Sequence, residues 1–161
     1  PFQRIQSHAL VPGTKISGSY FNAALSSIWA NKHGADEALM LDSEGFVAEG
    51  AAENLFVVKQ GKIFTPKSPD ILKGITRDTL MRTSKGSGFT IQEKRLTLND
   101  VFKADEAFFT GTAVEVHAIG KVNGKKIGSG GKGPITEKIQ RFYQKLVRGE
   151  IPRYHKWLTR V

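Results

Sequence analysis

The first residue with possible covalent chemistry is Lys15, in the stretch "VPGTKISGSY" that runs from Val11 to Tyr20. Glycine, threonine and serine lie near this lysine on both sides, and such small residues allow backbone to pack closely against a bound group. A lysine amine can form a Schiff base when burial and neighbouring cations lower its pKa. Most lysines are solvated surface cations, so Lys15 taken alone is compatible with either role.

A second candidate is Glu49, the first residue of "EGAAENLFVV". It ends an apolar run, and the small residues Gly50, Ala51 and Ala52 follow it. A carboxylate at this position can cap the next turn. It can also face a cationic heterocycle, because the small residues would let a flat ring lie close. The stretch by itself favours the capping role.

Two further stretches present backbone amides and hydroxyl groups. In "LKGITRDTL", Gly74 precedes Ile75 and Thr76 at a predicted helix start, where unpaired N–H groups can bind an anion. Thr76 can instead be an ordinary N-cap. In "FFTGTAVEV", Thr112 and Ala113 fall within a break in a hydrophobic strand, which indicates either a close ligand or a bulge.

Length and composition restrict the class of protein. The chain has 161 residues, which suits one domain, and no apolar run approaches the length of a membrane-spanning helix. It contains no cysteine, which excludes disulfides and thiolate metal sites. The net charge of +9 raises the question of nucleic acid, but the basic residues are dispersed and no nucleic-acid-binding motif accompanies them. We expect a cytoplasmic protein without metal, membrane or nucleic-acid partners.

Apolar spacing predicts an α/β or α+β fold with more strands than helices. The predicted helices lie in "SYFNAALSSIWANKHG", "KGITRDTLMRTSKGSG", "TLNDVFKA" and "GPITEKIQRFYQKLVRG". The predicted strands lie in "EALMLD", "FVAEG", "NLFVVKQGKIFTP", "FTIQEKRL" and "DEAFFTGTAVEVHAIGKVNGKKIG". We expect hairpin turns at Gln60-Gly61 and Asn123-Gly124. The first helix would carry Phe21, Leu25 and Ile28 on one face.

In this order, these stretches resemble the class IV pyridoxal-phosphate enzymes, and most closely the branched-chain amino acid aminotransferases. The resemblance covers nearly the whole chain from about Thr14 onward. It rests on "KISGSY", "ALMLDSEGFVAEGAAENLFVV", "LKGITRDTL", "ADEAFFTGTAVEV" and "GKKIGSGGKGPITEKIQ". It implies pyridoxal 5'-phosphate as cofactor and the fold of the family's large domain, with barrel-like sheets and flanking helices.

The resemblance implies a role for each candidate side chain. Lys15 matches the catalytic lysine that binds the cofactor covalently. Tyr20 matches the tyrosine bonded to the phenolic oxygen of the cofactor, and Glu49 matches the acid that keeps its pyridine nitrogen protonated. Two positions depart from the family's common pattern, with Ser19 in place of asparagine and Ala52 in place of glycine.

The backbone sites follow from the same resemblance. Gly74, Ile75 and Thr76 match the turn that binds the cofactor phosphate, and Thr112 assists it. The amides of Thr112 and Ala113 match those that meet the substrate carboxylate.

The implied activity is transamination of leucine, isoleucine and valine with 2-oxoglutarate, carried out by a homo-oligomer (a dimer or larger). Residues 1–161 would form the C-terminal cofactor-binding domain, and the family's N-terminal small domain would be absent from this chain. Alternatives of the same fold are a D-amino acid aminotransferase and an aminodeoxychorismate lyase. An alternative of another class is a non-catalytic module that binds anionic ligands.

Overall fold

An open five-stranded sheet lies at the centre of the computed structural model, which describes residues 2–11 and 13–159. The strands are β1 (Leu39–Leu41), β2 (Val47–Gly50), β3 (Asn54–Lys59), β4 (Lys62–Pro66), β5 (Ile91–Lys94), β6 (Glu106–Gly111), β7 (Glu115–Ala118), β8 (Lys121–Val122) and β9 (Lys125–Lys126). The helices are α1 (Tyr20–Lys32), α2 (Ile75–Thr83), α3 (Leu98–Phe102) and α4 (Pro134–Val147). Short 3₁₀ turns span Ser17–Ser19, Ser84–Gly86 and Pro152–Trp157.

The order of strands in the central sheet is β5-β4-β3-β6-β7. All neighbours are antiparallel except β4 and β5, which are parallel and are connected by a crossover that contains α2. The edge strands β5 and β7 do not pair with each other in the described residues, so the sheet stays open and does not close into a barrel. The predicted α/β class, with strands more numerous than helices, is confirmed.

The central strand β3 is buried on both faces. Successive side chains of a strand point to opposite faces, so Leu55 and Val57 contact one apolar cluster and Phe56 and Val58 contact the other. The first cluster includes residues of β2 and α3, and the second includes residues of α2 and α4. The rings of Phe56 and Phe108 are stacked with their centroids 5.0 Å apart. Elements on both sides of the sheet therefore pack against its centre.

Both predicted hairpin turns are confirmed. Gln60 and Gly61 have φ values of 50° and 74°, and Asn123 and Gly124 have 49° and 76°. These left-handed conformations at two successive residues are those of a type I′ turn. The turns join β3 to β4 and β8 to β9.

Helix α4 begins where the sequence predicts, at Pro134, and its N-terminus is occupied by a side chain from the sheet. The carboxylate of Glu106 accepts hydrogen bonds from the backbone N–H of Ile135 at 3.0 Å and of Thr136 at 2.7 Å. A Cβ atom at Gly133 would lie 2.2 Å from the carboxyl carbon of Glu106, so this approach requires glycine. The first turn of α4 is therefore tied to β6.

Helix α1 also forms as predicted, but the described residues leave its apolar face exposed. Phe21 is 70% exposed and Ile28 is 51% exposed, whereas the buried residues of the helix are Ser26 and Ala30. Ser19 occupies the N-cap position, and its side chain makes no capping hydrogen bond. Within the described ranges, no helix combines the length and hydropathy that crossing a membrane requires.

Candidate active site

A cavity of about 540 Å³ lies between α1, the end of β2 and the start of α2. Seven of the eight candidate residues line it. They are Lys15, Tyr20, Glu49, Gly74, Ile75, Thr76 and Thr112. The eighth, Ala113, is exposed in the turn after β6 and does not line the cavity.

The ends of three strands position this cavity. Glu49 is the third residue of β2, which ends at Gly50. Strand β3 begins at Asn54, and Asn54 is opposite Thr110 near the end of the antiparallel strand β6. The turn that carries Thr112 therefore lies beside the β2–β3 connection. Sheet pairing thus brings together residues that are far apart in the sequence.

The carboxylate of Glu49 is buried and accepts hydrogen bonds from three groups. One oxygen accepts from the Arg4 Nε at 2.6 Å and the other accepts from the Asn54 amide at 3.0 Å, while the backbone N–H of Leu72 donates to both at 3.1–3.2 Å. Burial raises the pKa of Glu49 to about 7, and it is opposed by the Arg4 charge and the Leu72 N–H. The capping role that the sequence favoured is not what the structure shows, because the carboxylate lies in the cavity wall.

The N-terminus of α2 opens onto the cavity. Gly74 occupies the N-cap position in an extended conformation, and no described side chain caps the helix. Thr76 is therefore not the N-cap. Its hydroxyl is buried, and it has one weak contact, at 3.4 Å, with the Tyr143 hydroxyl. The first turn of α2 thus offers backbone N–H groups and a hydroxyl to an anion.

Lys15 and Tyr20 belong to a more open part of the cavity. Lys15 lies just before the 3₁₀ turn, and Tyr20 is the first residue of α1. Both side chains are exposed, Tyr20 by 50%. The described residues therefore do not provide the burial that the sequence analysis required for a reactive amine at Lys15.

Two buried hydroxyls on the cavity wall have no hydrogen-bond partner within the described ranges. They are the Oγ of Ser19 and the Oγ1 of Thr110. Leaving a buried polar group unpaired costs about 1–3 kcal/mol, so a polar ligand in the cavity would recover part of this cost. In the same ranges, no three His, Asp or Glu side chains are grouped so that they could hold a metal ion.

Sequence reasoning missed three polar side chains that line this cavity, namely Arg4, Glu53 and Asn54. Burial and the neighbouring Glu37 carboxylate raise the pKa of Glu53 to about 7. In the sequence, Glu53 and Asn54 can be recognised as polar residues directly before the apolar run 55–58. Arg4 precedes every motif, and no local pattern marks it.

The chain belongs to the class IV aminotransferase family, because residues 1–122 match the family described as amino-transferase class IV. It is 47% identical, over 99% of its length, to the branched-chain-amino-acid aminotransferase of Pseudomonas aeruginosa, and covers 52% of that protein. It is 36% identical, over 99% of its length, to the enzyme of that name from Escherichia coli K12, and it again covers 52% of that protein. The chain thus spans about half the length of the curated relatives it matches.

Solved structures agree with this family and with the fold. The chain matches a branched-chain amino acid aminotransferase from T.th., in complex with N-(5'-phosphopyridoxyl)-L-glutamate, with a TM-score of 0.95 and 40% identity, covering 98% of this chain and 54% of that one. It also matches the enzyme of the same name from Thermobaculum terrenum, in its PLP form, with a TM-score of 0.94 and 36% identity. This match covers 98% of this chain and 52% of that one.

Proposed function

We propose that this chain is the cofactor-binding part of a pyridoxal-phosphate-dependent aminotransferase that transfers the amino group of leucine, isoleucine or valine to 2-oxoglutarate. The observation that carries the proposal is the single cavity shared by an amine (Lys15), a buried acid (Glu49) and an open helix N-terminus (α2). The names and bound groups of the similar proteins support the same activity.

The residues present fit pyridoxal 5'-phosphate. The hydroxyls of Ser19 and Thr110, which have no hydrogen-bond partner among the described residues, would find partners in a polar ligand. A Cβ at Gly50 would come within 2.9 Å of the Glu53 carboxylate and 3.0 Å of the Phe109 ring, so the wall behind the site is already close-packed without a side chain there. A cavity of about 540 Å³ is within the range of about 300–1,000 Å³ that is usual for cofactor sites.

Two ends of the cavity would bind the two ends of the cofactor. The backbone N–H groups of Ile75 and Thr76, the Thr76 hydroxyl and Thr112 would bind its phosphate. Glu49 would bind its ring nitrogen and Tyr20 its phenolic oxygen. When bound, the cofactor supplies an electron sink that weakens bonds at the substrate Cα atom.

Lys15 would act twice. Its Nζ atom would hold the cofactor covalently. The same amine, once free, would accept a proton from the substrate Cα atom and return it during the reaction. The exposure of Lys15 on the open side of the cavity would leave room for both roles.

Glu49 would control the ring nitrogen. A neighbouring carboxylate raises the pKa of a pyridine nitrogen and so favours its protonated form. Arg4, 2.6 Å from the carboxylate, favours the ionised form of Glu49 that this requires. The amides of Thr112 and Ala113 would orient the substrate carboxylate without adding a formal charge.

We also propose that the family's small N-terminal domain accompanies this domain in the whole protein, and that the protein is a cytoplasmic homo-oligomer. The support is the exposed apolar face of α1 and the length of the relatives. Sedimentation of the full-length protein tests the oligomer, and a monomer at micromolar concentration would contradict it.

Borohydride reduction followed by peptide mapping tests the main proposal. We expect the pyridoxyl adduct on Lys15 and none after Lys15→Ala. Lys73 lines the same cavity and provides the matched control, since Lys73→Ala should leave the adduct in place. An adduct mainly on Lys73, or none in the wild type, would favour the non-catalytic anion-binding module. Activity with D-amino acids and not with leucine would favour the D-amino acid enzyme.

A further inference from the structure

The side-chain amide of Asn54 connects the two ends of the cavity. Asn54 is 5% exposed at the start of β3. Its Nδ2 donates to the Glu49 carboxylate at 3.0 Å and to the carbonyl oxygen of Leu72 at 2.7 Å. Its Oδ1 accepts from the backbone N–H of Gly74 at 3.1 Å. Both hydrogens and the oxygen of the amide are therefore used.

These partners are specific for an amide. Nδ2 faces two acceptors and Oδ1 faces a donor, so the orientation of the group is fixed by its surroundings. An aspartate of the same shape would place an acceptor against the Glu49 carboxylate and against the Leu72 carbonyl oxygen. The site therefore distinguishes asparagine from its closest isostere.

The loop of residues 72–74 is bonded to Glu49 from two sides. Leu72 donates its N–H directly to the carboxylate, and Asn54 joins the carboxylate to Leu72 and Gly74. The N–H of Gly74 is shared with the Leu72 carbonyl oxygen at 2.9 Å. Gly74 then begins α2, since its carbonyl oxygen accepts from the Asp78 N–H at 2.9 Å.

Close approach, and not backbone conformation, requires glycine at position 74. Its φ of −62° and ψ of 151° are accessible to any residue. A Cβ atom there would lie 2.5 Å from the Asn54 Oδ1. A methyl group at this position would therefore separate Asn54 from the start of α2.

We propose that Asn54 is a positioning residue that fixes the spacing between Glu49 and the N-terminus of α2, and so holds the ring-nitrogen end and the phosphate end of the cofactor site at one separation. This inference rests on the proposed function. It assigns Asn54 no contact with the cofactor.

The test compares two non-covalent probes, 4-deoxypyridoxine and its 5'-phosphate, on the full-length protein. The ratio of their dissociation constants measures how much the phosphate adds once the ring is in place. In Asn54→Asp we expect this ratio to fall about tenfold or more, the effect of misplacing a charge-assisted contact. A purely structural role would weaken both probes equally and leave the ratio unchanged.

Gly74→Ala tests the contact between Asn54 and Gly74 by changing Gly74 instead of Asn54. It tests the positioning role even if the Asn54 variant does not fold. It should lower the ratio as well. Matched controls are Asn99→Asp, on α3 and away from the cavity wall, and Gly131→Ala, where an added Cβ would meet nothing within 4 Å. Both controls should keep the ratio within about twofold, since single changes outside such contacts have small effects.

The outcomes separate this inference from the proposed function. A wild-type ratio in folded Asn54→Asp and Gly74→Ala would overturn the positioning role while leaving the cofactor site intact. A wild type that forms no adduct on Lys15 and binds neither probe would overturn the proposed function and the inference together.

Discussion

Helices α2 and α4 begin alike, and their N-termini are used differently. Each follows a glycine in extended conformation, Gly74 or Gly133. At α4 the Glu106 carboxylate occupies the first turn, whereas at α2 no described side chain caps the helix and the first turn faces the cavity. The same chain thus fills one helix N-terminus with its own carboxylate and leaves the other open toward the cavity.

The filled N-terminus should matter most for stability. Glu106 is 6% exposed and accepts two backbone hydrogen bonds, so Glu106→Gln should lower the free energy of unfolding by about 3 kcal/mol. Chemical denaturation measures this change. The control is Glu137→Gln in the first turn of the same helix, which loses only an exposed pair with Arg141 and should cost less than about 0.5 kcal/mol. Equal losses in the two variants would contradict a special role for the filled terminus.

Filling the open N-terminus should damage ligand binding instead. Ile75 is 83% exposed at the first position of α2, so Ile75→Asp adds a carboxylate there without removing core packing. We expect pyridoxal phosphate to bind about tenfold to a hundredfold more weakly, because the new charge repels the phosphate. The apoprotein should be no less stable. The neutral variant Ile75→Asn is the control for loss of the isoleucine side chain, and an equal loss of affinity there would show that charge is not the cause.

A smaller effect is expected from Thr76→Ala, which removes one hydroxyl from the open terminus. Pyridoxal phosphate should bind about threefold to tenfold more weakly, which corresponds to about 0.7–1.4 kcal/mol and lies within the usual net contribution of one hydrogen bond. Melting temperatures with and without the cofactor separate binding from folding. Thr79→Ala, on the same helix and outside the cavity wall, should change neither. Equal destabilisation of the apo and holo forms by Thr76→Ala would mean that the hydroxyl serves the fold alone.

The smallest effect concerns the pH dependence of the open side of the cavity. The pKa of Glu53 is raised from 4.5 to about 7, so the folded protein binds this proton more tightly than the unfolded chain does. The free energy of unfolding therefore falls as pH rises from about 4.5 to about 7. Glu53→Gln removes this dependence, so its melting temperature should equal that of the wild type near pH 4.5 and exceed it by a few degrees at pH 8.

Glu44→Gln is the control for this pH dependence. The side-chain hydrogen bond with Arg95, together with the Arg95 charge, lowers the pKa of the exposed Glu44 from 4.5, so its contribution to stability is essentially complete above about pH 6. The melting-temperature difference between this variant and the wild type should not change between about pH 6 and pH 8. A constant difference for Glu53→Gln as well would contradict the raised pKa.

The local elements could be predicted from the sequence because their signals are local. Glycine at position 74 followed by a helix-forming stretch indicated the start of α2, and Gln60-Gly61 and Asn123-Gly124 indicated their turns through the φ angles they must adopt. The cavity residues were found through a resemblance that spans the chain. Spacing alone left Lys15, Glu49 and Thr76 with ordinary alternatives, since each of those residue types is common in structural roles.

The contacts between distant segments could not be predicted. Arg4 reaches Glu49 across 45 positions, and Glu106 reaches Ile135 across 29. Neither sequence separation follows the period of a helix or a strand, because these contacts depend on how the strands pair in the sheet. The apolar face of α1 shows another limit of prediction from the sequence. Spacing indicates that Phe21 and Ile28 share a side of a helix, but it does not state what covers that side.

The parallel pairing of β4 with β5 has a consequence for the order of folding. The β3–β4 and β6–β7 hairpins join neighbours in the sequence, whereas β5 reaches β4 only after the chain has crossed over through α2. Contacts between distant segments form slowly, because closing the intervening loop costs entropy first. We therefore expect α2 to dock late. Refolding followed by hydrogen exchange should protect β3 before the first turn of α2, so that the capacity to capture the cofactor appears only as folding ends.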